Sequence, residues 1–295
     1  MTTQICPRRS VLFVPGSNER ALEKGKSLAA DGLILDLEDS VAPEQKTDAR
    51  GRVMAAVETG GYGRREIIIR VNGLETPWGR DDIAAAAASG ADGILLPKVD
   101  DGADVREADS ILDAAGAPEE MSIWCMMETP KAILNAVDIA SASPRVGCLV
   151  MGTSDLAKDL YCAHTRDRLP MITSLELCLL AARAYGLAIL DGVFLDLDDD
   201  EGFTHSCRQG RDLGFDGKTL IHPKTLDPAN EIFAPSGEEL DWSRKIIAAH
   251  AKAEKEGKGV VVVEGKLVET LHVANAKRLM ALHDAIRGLT EDLSK

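Results

Sequence analysis

Residues 9–43 read RSVLFVPGSNERALEKGKSLAADGLILDLEDSVAP, and this stretch contains the unit that decides the fold. A short apolar run, Val11–Val14, is followed by a segment of helix length, Glu19–Ala30, and then by a second apolar run, Leu33–Leu37. Continuous apolar strands that alternate with helices are typical of a parallel sheet covered on both faces. The stretch therefore predicts a β–α–β unit at the start of an α/β fold.

The same alternation continues along most of the chain. Six more strand-like runs lie at Ile67–Val71, Ile94–Leu96, Ile123–Met127, Val146–Met151, Leu187–Val193 and Thr219–Ile221. Helices are predicted at Glu44–Val57, Asp81–Ala88, Val105–Ala115, Lys131–Ala140, Thr173–Tyr185 and Asp200–Leu213. Eight strands of this kind favour a closed (β/α)₈ TIM barrel, although a doubly wound sheet could give a similar string.

The alternation ends near Pro235. Ser236 and Glu239 form a capping-box pattern that predicts a charged helix to about Lys255. An apolar run, a turn, a second short run and a last helix from about His272 follow. We therefore predict a TIM-barrel catalytic domain at residues 1–235 and a C-terminal helical arm at residues 236–295.

The composition excludes several classes of protein. The chain has 295 residues and a formal net charge of −14 at pH 7, which argues against nucleic acid and anionic membranes as partners. There is no signal-like segment, and no apolar stretch approaches the about 18 residues of a membrane span. Six cysteines without a C-x-x-C pattern predict reduced, buried thiols in a cytoplasmic protein.

Familiar catalytic motifs are missing. Gly25-Lys26-Ser27 and Gly217-Lys218-Thr219 end like P-loops but lack the earlier glycine that the motif requires. The chain has no G-x-G-x-x-G, H-E-x-x-H or G-x-S-x-G pattern. Nucleotide hydrolase, dinucleotide oxidoreductase, zinc protease and serine hydrolase activities therefore lose support.

Ionisable side chains follow six of the eight predicted strands, where the active site of a TIM barrel lies. Glu128 and Asp155 follow two consecutive strands, so their carboxylates are expected to meet at one ion. Two carboxylates with waters and a chelating substrate suit Mg²⁺, and the dispersed histidines disfavour zinc. The competing interpretation is a helix N-cap or a surface charge.

Arg70 ends an apolar run inside a predicted barrel strand. A buried guanidinium needs an anionic partner, and its planar fork suits a carboxylate. That partner is either a substrate carboxylate or an internal one, Asp36 or Glu38. His222 has two interpretations as well, a ligand contact or a structural histidine beside Pro223.

Seven stretches together resemble the citrate lyase β-subunit-like (HpcH/HpaI aldolase) family. They are RSVLFVPGSNERALEKG, DGLILDLEDSVAPEQKTDAR, IIIRVNGLETPWG, DGILLPKV, MMETPKAI, MGTSDLAKDL and GFDGKTLIHPKTL. LDLEDSVAP resembles the branch of the family that acts on CoA thioesters. The resemblance implies a TIM barrel that assembles as a trimer or hexamer, with Mg²⁺, or Mn²⁺ in its place, held by Glu128 and Asp155.

The resemblance also implies roles for other residues. Arg70 would hold the carboxylate of the α-oxo acid or acyl group, with Asp36 and Glu38 behind it. The tail would lie over a neighbouring subunit and deliver an acid, Glu269, into its site. Substrate or CoA contacts are expected at Phe13, Pro15, Lys24, Ser154, Ile221 and His222.

We therefore predict a Mg²⁺-dependent lyase that cleaves a 3-hydroxyacyl-CoA, such as malyl-CoA, methylmalyl-CoA or citramalyl-CoA. The products would be acetyl- or propionyl-CoA and glyoxylate or pyruvate. One alternative is an (S)-malyl-CoA thioesterase on the same scaffold, in which Glu269 activates water. The others are a citrate lyase β-subunit and a non-enzymatic binding protein. Two departures from the family pattern make the thioesterase a serious alternative: Glu269 replaces the usual Asp, and Thr153-Ser154-Asp155 replaces the common Ala-Glu-Asp.

Overall fold

The structure, a computed structural model, describes residues 6–255 and 260–293. Eight parallel strands form a closed barrel in sequential order, each paired with the next and β8 paired with β1. The strands are β1 (Ser10–Pro15), β2 (Gly32–Asp36), β3 (Glu66–Arg70), β4 (Gly93–Leu96), β5 (Ser122–Met127), β6 (Val146–Met151), β7 (Ala188–Asp191) and β8 (Gly217–Leu220). The predicted (β/α)₈ barrel is confirmed, and the doubly wound sheet is not formed.

Helices surround the barrel between the strands. They are α1 (Glu19–Gly25), α2 (Lys46–Thr59), α3 (Gly79–Ala87), α4 (Gly102–Ala114), α5 (Pro130–Leu134), α6 (Ala136–Ser141), α7 (Thr153–Asp159), α8 (Ile172–Ala184), α9 (Asp200–Leu213) and α10 (Leu226–Phe233). The sequence did not predict α7 and α10, because helices of seven and eight residues are too short to show a helical period.

Two predicted helices differ from the observed ones by more than a shift of a few residues at their ends, and side chains explain both differences. Helix α1 ends at Gly25, well before the predicted end at residue 30. The buried Arg65 guanidinium donates hydrogen bonds to the carbonyl oxygens of Gly25, Lys26 and Leu28, which would otherwise accept from the next turn of the helix. The predicted helix at residues 131–140 is broken at Asn135, whose side-chain amide donates to the carbonyl oxygen of Asp100.

The apolar side chains of the barrel unit pack in two layers. One layer fills the interior of the barrel, and Trp124 is its largest side chain. The other lies between the strands and the surrounding helices. Both faces of each strand are therefore buried, which explains why the strands appear in the sequence as continuous apolar runs.

The described residues divide into two compact units, one of them Arg8–Phe233, which contains the barrel. The other, from Ala234 onward, contains α11 (Gly237–Lys255), the antiparallel pair β9 (Val261–Val263) and β10 (Lys266–Val268), and α12 (Thr270–Leu293). The predicted capping box is present: Glu239 accepts from the Ser236 N–H, and the Ser236 hydroxyl accepts from the Glu239 N–H.

The cysteines and the helices bear on two smaller predictions about the chain. All six cysteines are free; four are buried as predicted, whereas Cys6 and Cys162 are partly exposed. Across residues 6–255 and 260–293, we find no helix with the length and apolar character needed to span a bilayer.

Candidate active site

A cavity of about 390 Å³ lies at the C-terminal end of the barrel strands. Most of the predicted site residues line it: Phe13, Pro15, Asp36, Arg70, Glu128, Ser154, Asp155 and Ile221. Side chains that were not predicted complete the lining: Asp39, Ser40, Met126, Met151, Thr153, Val193 and Thr219. A second, more charged cavity of about 680 Å³ shares Glu128 and Asp155 with the first. The two carboxylates therefore stand where both cavities meet.

Glu128 directly follows β5 and is almost fully buried, with 3% of its surface exposed. Its Oε1 accepts a hydrogen bond of 2.7 Å from the backbone N–H of Lys98, at the end of the neighbouring strand β4. Burial raises the pKa of Glu128 to about 7, and the nearby charges of Glu38 and Asp155 add to this effect. A carboxylate in these surroundings is stabilised by a cation.

Asp155 and Ser154 lie in the first turn of α7, which begins just after β6. Gly152 lets this turn approach Glu128, because a Cβ atom at Gly152 would stand 2.4 Å from the Glu128 Cβ and 2.6 Å from its Oε2. Among the described residues, no partner reaches the buried Ser154 Oγ. The close approach brings the end of β5 and the start of α7 to one place in the cavity.

Arg70 is bound by the protein's own carboxylates. Its Nε and Nη2 donate to the two oxygens of Asp36 at 2.6 and 2.7 Å, and its Nη1 lies 2.9 Å from Glu38 Oε2. Burial by itself would raise the pKa of Asp36, but the charge and hydrogen bonds of Arg70 lower it below its usual value. The Phe13 ring packs against the guanidinium, 4.8 Å from ring centre to Cζ. The internal pairing that the sequence left open is therefore present.

The cavity is acidic around these groups. The five carboxylates of Asp36, Glu38, Asp39, Glu128 and Asp155 outnumber the three neighbouring cations, Arg70, Lys98 and Lys46. Within the described part of the chain, no group of three or more His, Cys, Asp or Glu side chains forms a ready metal site. Glu128 and Asp155 thus offer two oxygen ligands and leave other positions for water or substrate. This donor set fits Mg²⁺, which keeps several waters and takes one or two carboxylates.

Glu38 does not line this cavity but contacts Arg70 at its edge. Three further predicted site residues also lie outside the cavity. Lys24 is exposed in the last turn of α1. His222 caps a short 3₁₀ helix, since its Nδ1 accepts from the Lys224 N–H at 3.2 Å, which is the structural interpretation of this residue. Glu269 is exposed just before α12, and its N–H donates to His272 Nδ1. The ligand and catalytic roles predicted for these three residues stay predictions.

Two residues that hold the site in place were not predicted to do so. Lys98 was not singled out in the sequence, yet it contacts both Glu128 and Glu38. Lys46 is buried, and its Nζ donates to the carbonyl oxygens of Leu37 and Glu38, which anchors the loop after β2. A lysine among many in a sequence carries no signal for either contact.

The model of the HpcH/HpaI aldolase/citrate lyase family matches residues 9–223, which are most of the chain. The chain belongs to this family. The match includes all eight barrel strands and every residue that lines the cavity described above.

Two curated relatives match almost the whole chain. The chain is 51% identical to a (3S)-malyl-CoA thioesterase of Cereibacter sphaeroides, over 97% of this chain and 98% of that protein. It is 35% identical to an L-malyl-CoA/β-methylmalyl-CoA lyase of the same species, over 92% and 93% of the two chains. The family thus includes both a thioesterase and a lyase among the relatives of this chain.

A solved structure of the protein CitE from Mycobacterium tuberculosis also matches. It contains magnesium, acetoacetate and coenzyme A. The TM-score is 0.75 at 28% identity, and the match covers 95% of this chain and all of that one. The barrel fold is therefore shared with a protein that was solved with a metal and a CoA ligand.

Proposed function

We propose that this protein hydrolyses the thioester bond of (3S)-malyl-CoA. The observation that carries the proposal is the 51% identity, over 97% of the chain, to a (3S)-malyl-CoA thioesterase. The departures in the family motifs, Glu269 and Thr153-Ser154-Asp155, favour the same activity over the lyase that the sequence first indicated. The acidic cavity and its paired carboxylates are consistent with either reaction, so the chemical outcome must be measured.

Glu128 and Asp155 are the residues that would hold Mg²⁺, or Mn²⁺ in its place. Glu128 is buried with a raised pKa, and Asp155 lines the same cavity. A bound Mg²⁺ would polarise a substrate oxygen and offset the negative charge of the cavity. The magnesium in the CitE structure supports this choice of metal.

Arg70 would bind the substrate's carboxylate while it stays bound to Asp36. A guanidinium has five N–H donors, and the contacts of Arg70 with the described residues leave a second Nη2 hydrogen available. The apolar side chains of Phe13, Met126 and Ile221 line the same cavity and would face the carbon chain of the acyl group. Arg70 would thus hold the carboxylate end of the acyl group, and the thioester at its other end would be free to react.

Hydrolysis adds water across the thioester. The water oxygen forms a bond to the carbonyl carbon, the C–S bond breaks, and the CoA sulfur leaves as a thiol with a proton. The Glu269 carboxylate is proposed to act as general base: it takes one proton from the attacking water and passes it to the leaving sulfur. The second proton stays on the new carboxyl group of malate, which releases it to solvent. CoA is part of the substrate in this proposal, and the protein is expected to act as a trimer or hexamer.

The runner-up is the C–C lyase, and the 35% identity to a malyl-CoA/β-methylmalyl-CoA lyase favours it. The two reactions give different products from malyl-CoA. Hydrolysis releases malate and free CoA thiol, whereas lyase action releases glyoxylate and acetyl-CoA and no thiol.

The test is to incubate the protein with (3S)-malyl-CoA and Mg²⁺ and to assay thiol and glyoxylate separately. Thiol without glyoxylate is the expected result, and glyoxylate with acetyl-CoA would overturn the proposal in favour of the lyase. Asp155→Asn should abolish turnover, while Asp212→Asn, in the last turn of α9 and outside both cavities, should retain it. Equal turnover in both variants would exclude Asp155 from the reaction.

A further inference from the structure

Lys98 has a backbone conformation that is unusual for a lysine. It follows β4 with φ of 50°, in the left-handed region that favours glycine. Only three other non-glycine residues in the described ranges have positive φ: Tyr161, Arg168 and Glu264. Lys98 is the member of this group that contacts Glu128. Strained conformations persist where the surroundings hold them, and they cluster at functional sites.

Two hydrogen bonds of Lys98 connect the site's acidic groups. The backbone N–H donates to Glu128 Oε1 at 2.7 Å, and Nζ donates to Glu38 Oε1 at 3.1 Å. Glu38 in turn contacts Arg70 through its other oxygen at 2.9 Å. In this series of contacts, Lys98 thus lies between the carboxylates of Glu128 and Glu38 as a hydrogen-bond donor.

The backbone N–H of Lys98 decides where the Glu128 carboxylate points. Among the described residues, it is the one hydrogen-bond donor to that side chain. It holds Oε1, which leaves Oε2 on the side of Gly152 and the start of α7, where Asp155 lies. If residue 98 relaxed to negative φ, its N–H would turn away and Glu128 would lose its orientation.

We propose that Lys98 is a positioning residue whose ion pair with Glu38 holds the strained backbone that orients Glu128 for the metal. The inference rests on the proposed Mg²⁺ site at Glu128 and Asp155. The Lys98 side chain does not contact the proposed metal ligand Glu128 itself. Its ion pair with Glu38 holds residue 98 in the conformation in which the Lys98 N–H donates to Glu128 Oε1.

Two substitutions separate this role from a simple effect of charge. Lys98→Met and Lys98→Gly both remove the ammonium group and the tether to Glu38. Glycine adopts positive φ without strain and keeps the N–H on Glu128, whereas methionine relaxes away from it. The loss of a cation would favour metal binding equally in both variants, so the difference between them isolates the backbone effect.

The experiment measures Mg²⁺ affinity of the metal-free full-length variants by calorimetry, without substrate. We expect Lys98→Met to bind Mg²⁺ at least about tenfold more weakly than Lys98→Gly, the scale typical of residues that orient metal ligands. Lys98→Asn, which also tolerates positive φ, should resemble Lys98→Gly and guards against a folding defect peculiar to glycine. Lys131→Met removes a nearby lysine that pairs with Asp101; it controls for the loss of charge and should not bind Mg²⁺ more weakly than the wild type.

Equal Mg²⁺ affinity of Lys98→Met and Lys98→Gly, or tighter binding by Lys98→Met, would overturn the inference. The loss of the ammonium charge would then be the only effect of the substitutions on Mg²⁺ binding. A wild-type protein that binds no Mg²⁺ would overturn both the inference and the proposed metal site. If the contrast between the variants holds but malyl-CoA yields no thiol, the proposed hydrolysis fails and the inference stands.

Discussion

Arg70 donates two parallel hydrogen bonds, of 2.6 and 2.7 Å, to the Asp36 carboxylate at the C-terminal end of the barrel strands. The side chains are 10% and 2% exposed, so the pair is shielded from water on nearly all sides. A guanidinium bound in this way is rigid, and it presents its remaining N–H groups in a fixed direction. The same pair also makes Arg70 part of the structural framework of the site, which affects how its variants must be interpreted.

Arg70→Met should destabilise the fold as well as the activity. It leaves Asp36 buried without its cation, and breaking a buried pair in this way costs about 3–5 kcal/mol. Glu38 loses Arg70 as well but keeps its ion pair with Lys98. Urea denaturation measures this loss directly. Asp39→Asn is the matched control, since Asp39 is largely exposed and 3.5 Å from Arg70, and it should change stability by less than about 1 kcal/mol. Equal stability of the two variants would contradict the framework role of Arg70.

Glu128→Gln should stabilise the metal-free protein at pH 8. The folded pKa of about 7 lies above the ordinary value of 4.5, so ionised Glu128 disfavours folding, and stability falls as the pH rises from 4.5 through 7. A shift of this size corresponds to a gain on the order of 3 kcal/mol for the neutral amide at pH 8. Denaturation in EDTA at pH 8 and pH 5.5 checks it, because the gain must shrink at the lower pH. A gain that does not depend on pH would rule out this cause.

Mg²⁺ affinity should depend on pH around the same value. Below pH 7 the metal must displace a proton from Glu128, and affinity is expected to fall about tenfold per pH unit. Above pH 8 the carboxylate is already ionised, and the affinity should level off. Calorimetry in buffers of different ionisation enthalpy would count the released proton. A flat profile between pH 5.5 and 8 would show that Glu128 is ionised throughout.

Gly152→Ala should damage the site without unfolding the barrel. The new methyl group would stand 2.4 Å from the Glu128 Cβ, so either Glu128 or the start of α7 must move. Overpacking of this kind costs about 1–3 kcal/mol, and we expect Mg²⁺ affinity and turnover to fall with it. Gly51→Ala is the control, because a Cβ atom there meets nothing within 4 Å in the middle of α2. It should leave Mg²⁺ binding unchanged and stabilise the helix slightly.

Strand positions were largely predictable, and helix ends were less so. Each predicted strand overlaps an observed one, because a strand buried on both faces must be apolar along its whole length. The ends of α1 and the break at Asn135 depend on hydrogen bonds from Arg65 and to Asp100, which come from distant parts of the chain. No local pattern encodes such contacts.

The candidate site divides in the same way. Residues that directly follow strands, such as Glu128 and Asp36, were predictable, because strand ends in a barrel converge on one mouth. The pairing of Arg70 with Asp36 was left as one of two alternatives. Lys98 was missed, since its role depends on a positive φ and on two partners in other strand loops.

The sequence by itself determined the eight alternating strands and the two carboxylates that follow neighbouring strands, because apolar periodicity acts over short stretches of chain, and its motifs indicated the family. Only the tertiary structure decided the protonation, orientation and pairing of those groups. The raised pKa of Glu128 comes from its burial, and its orientation comes from the Lys98 N–H. Burial and hydrogen-bond geometry arise only when separate strands meet, and this is why the chemistry of the site could not be derived from the order of residues alone.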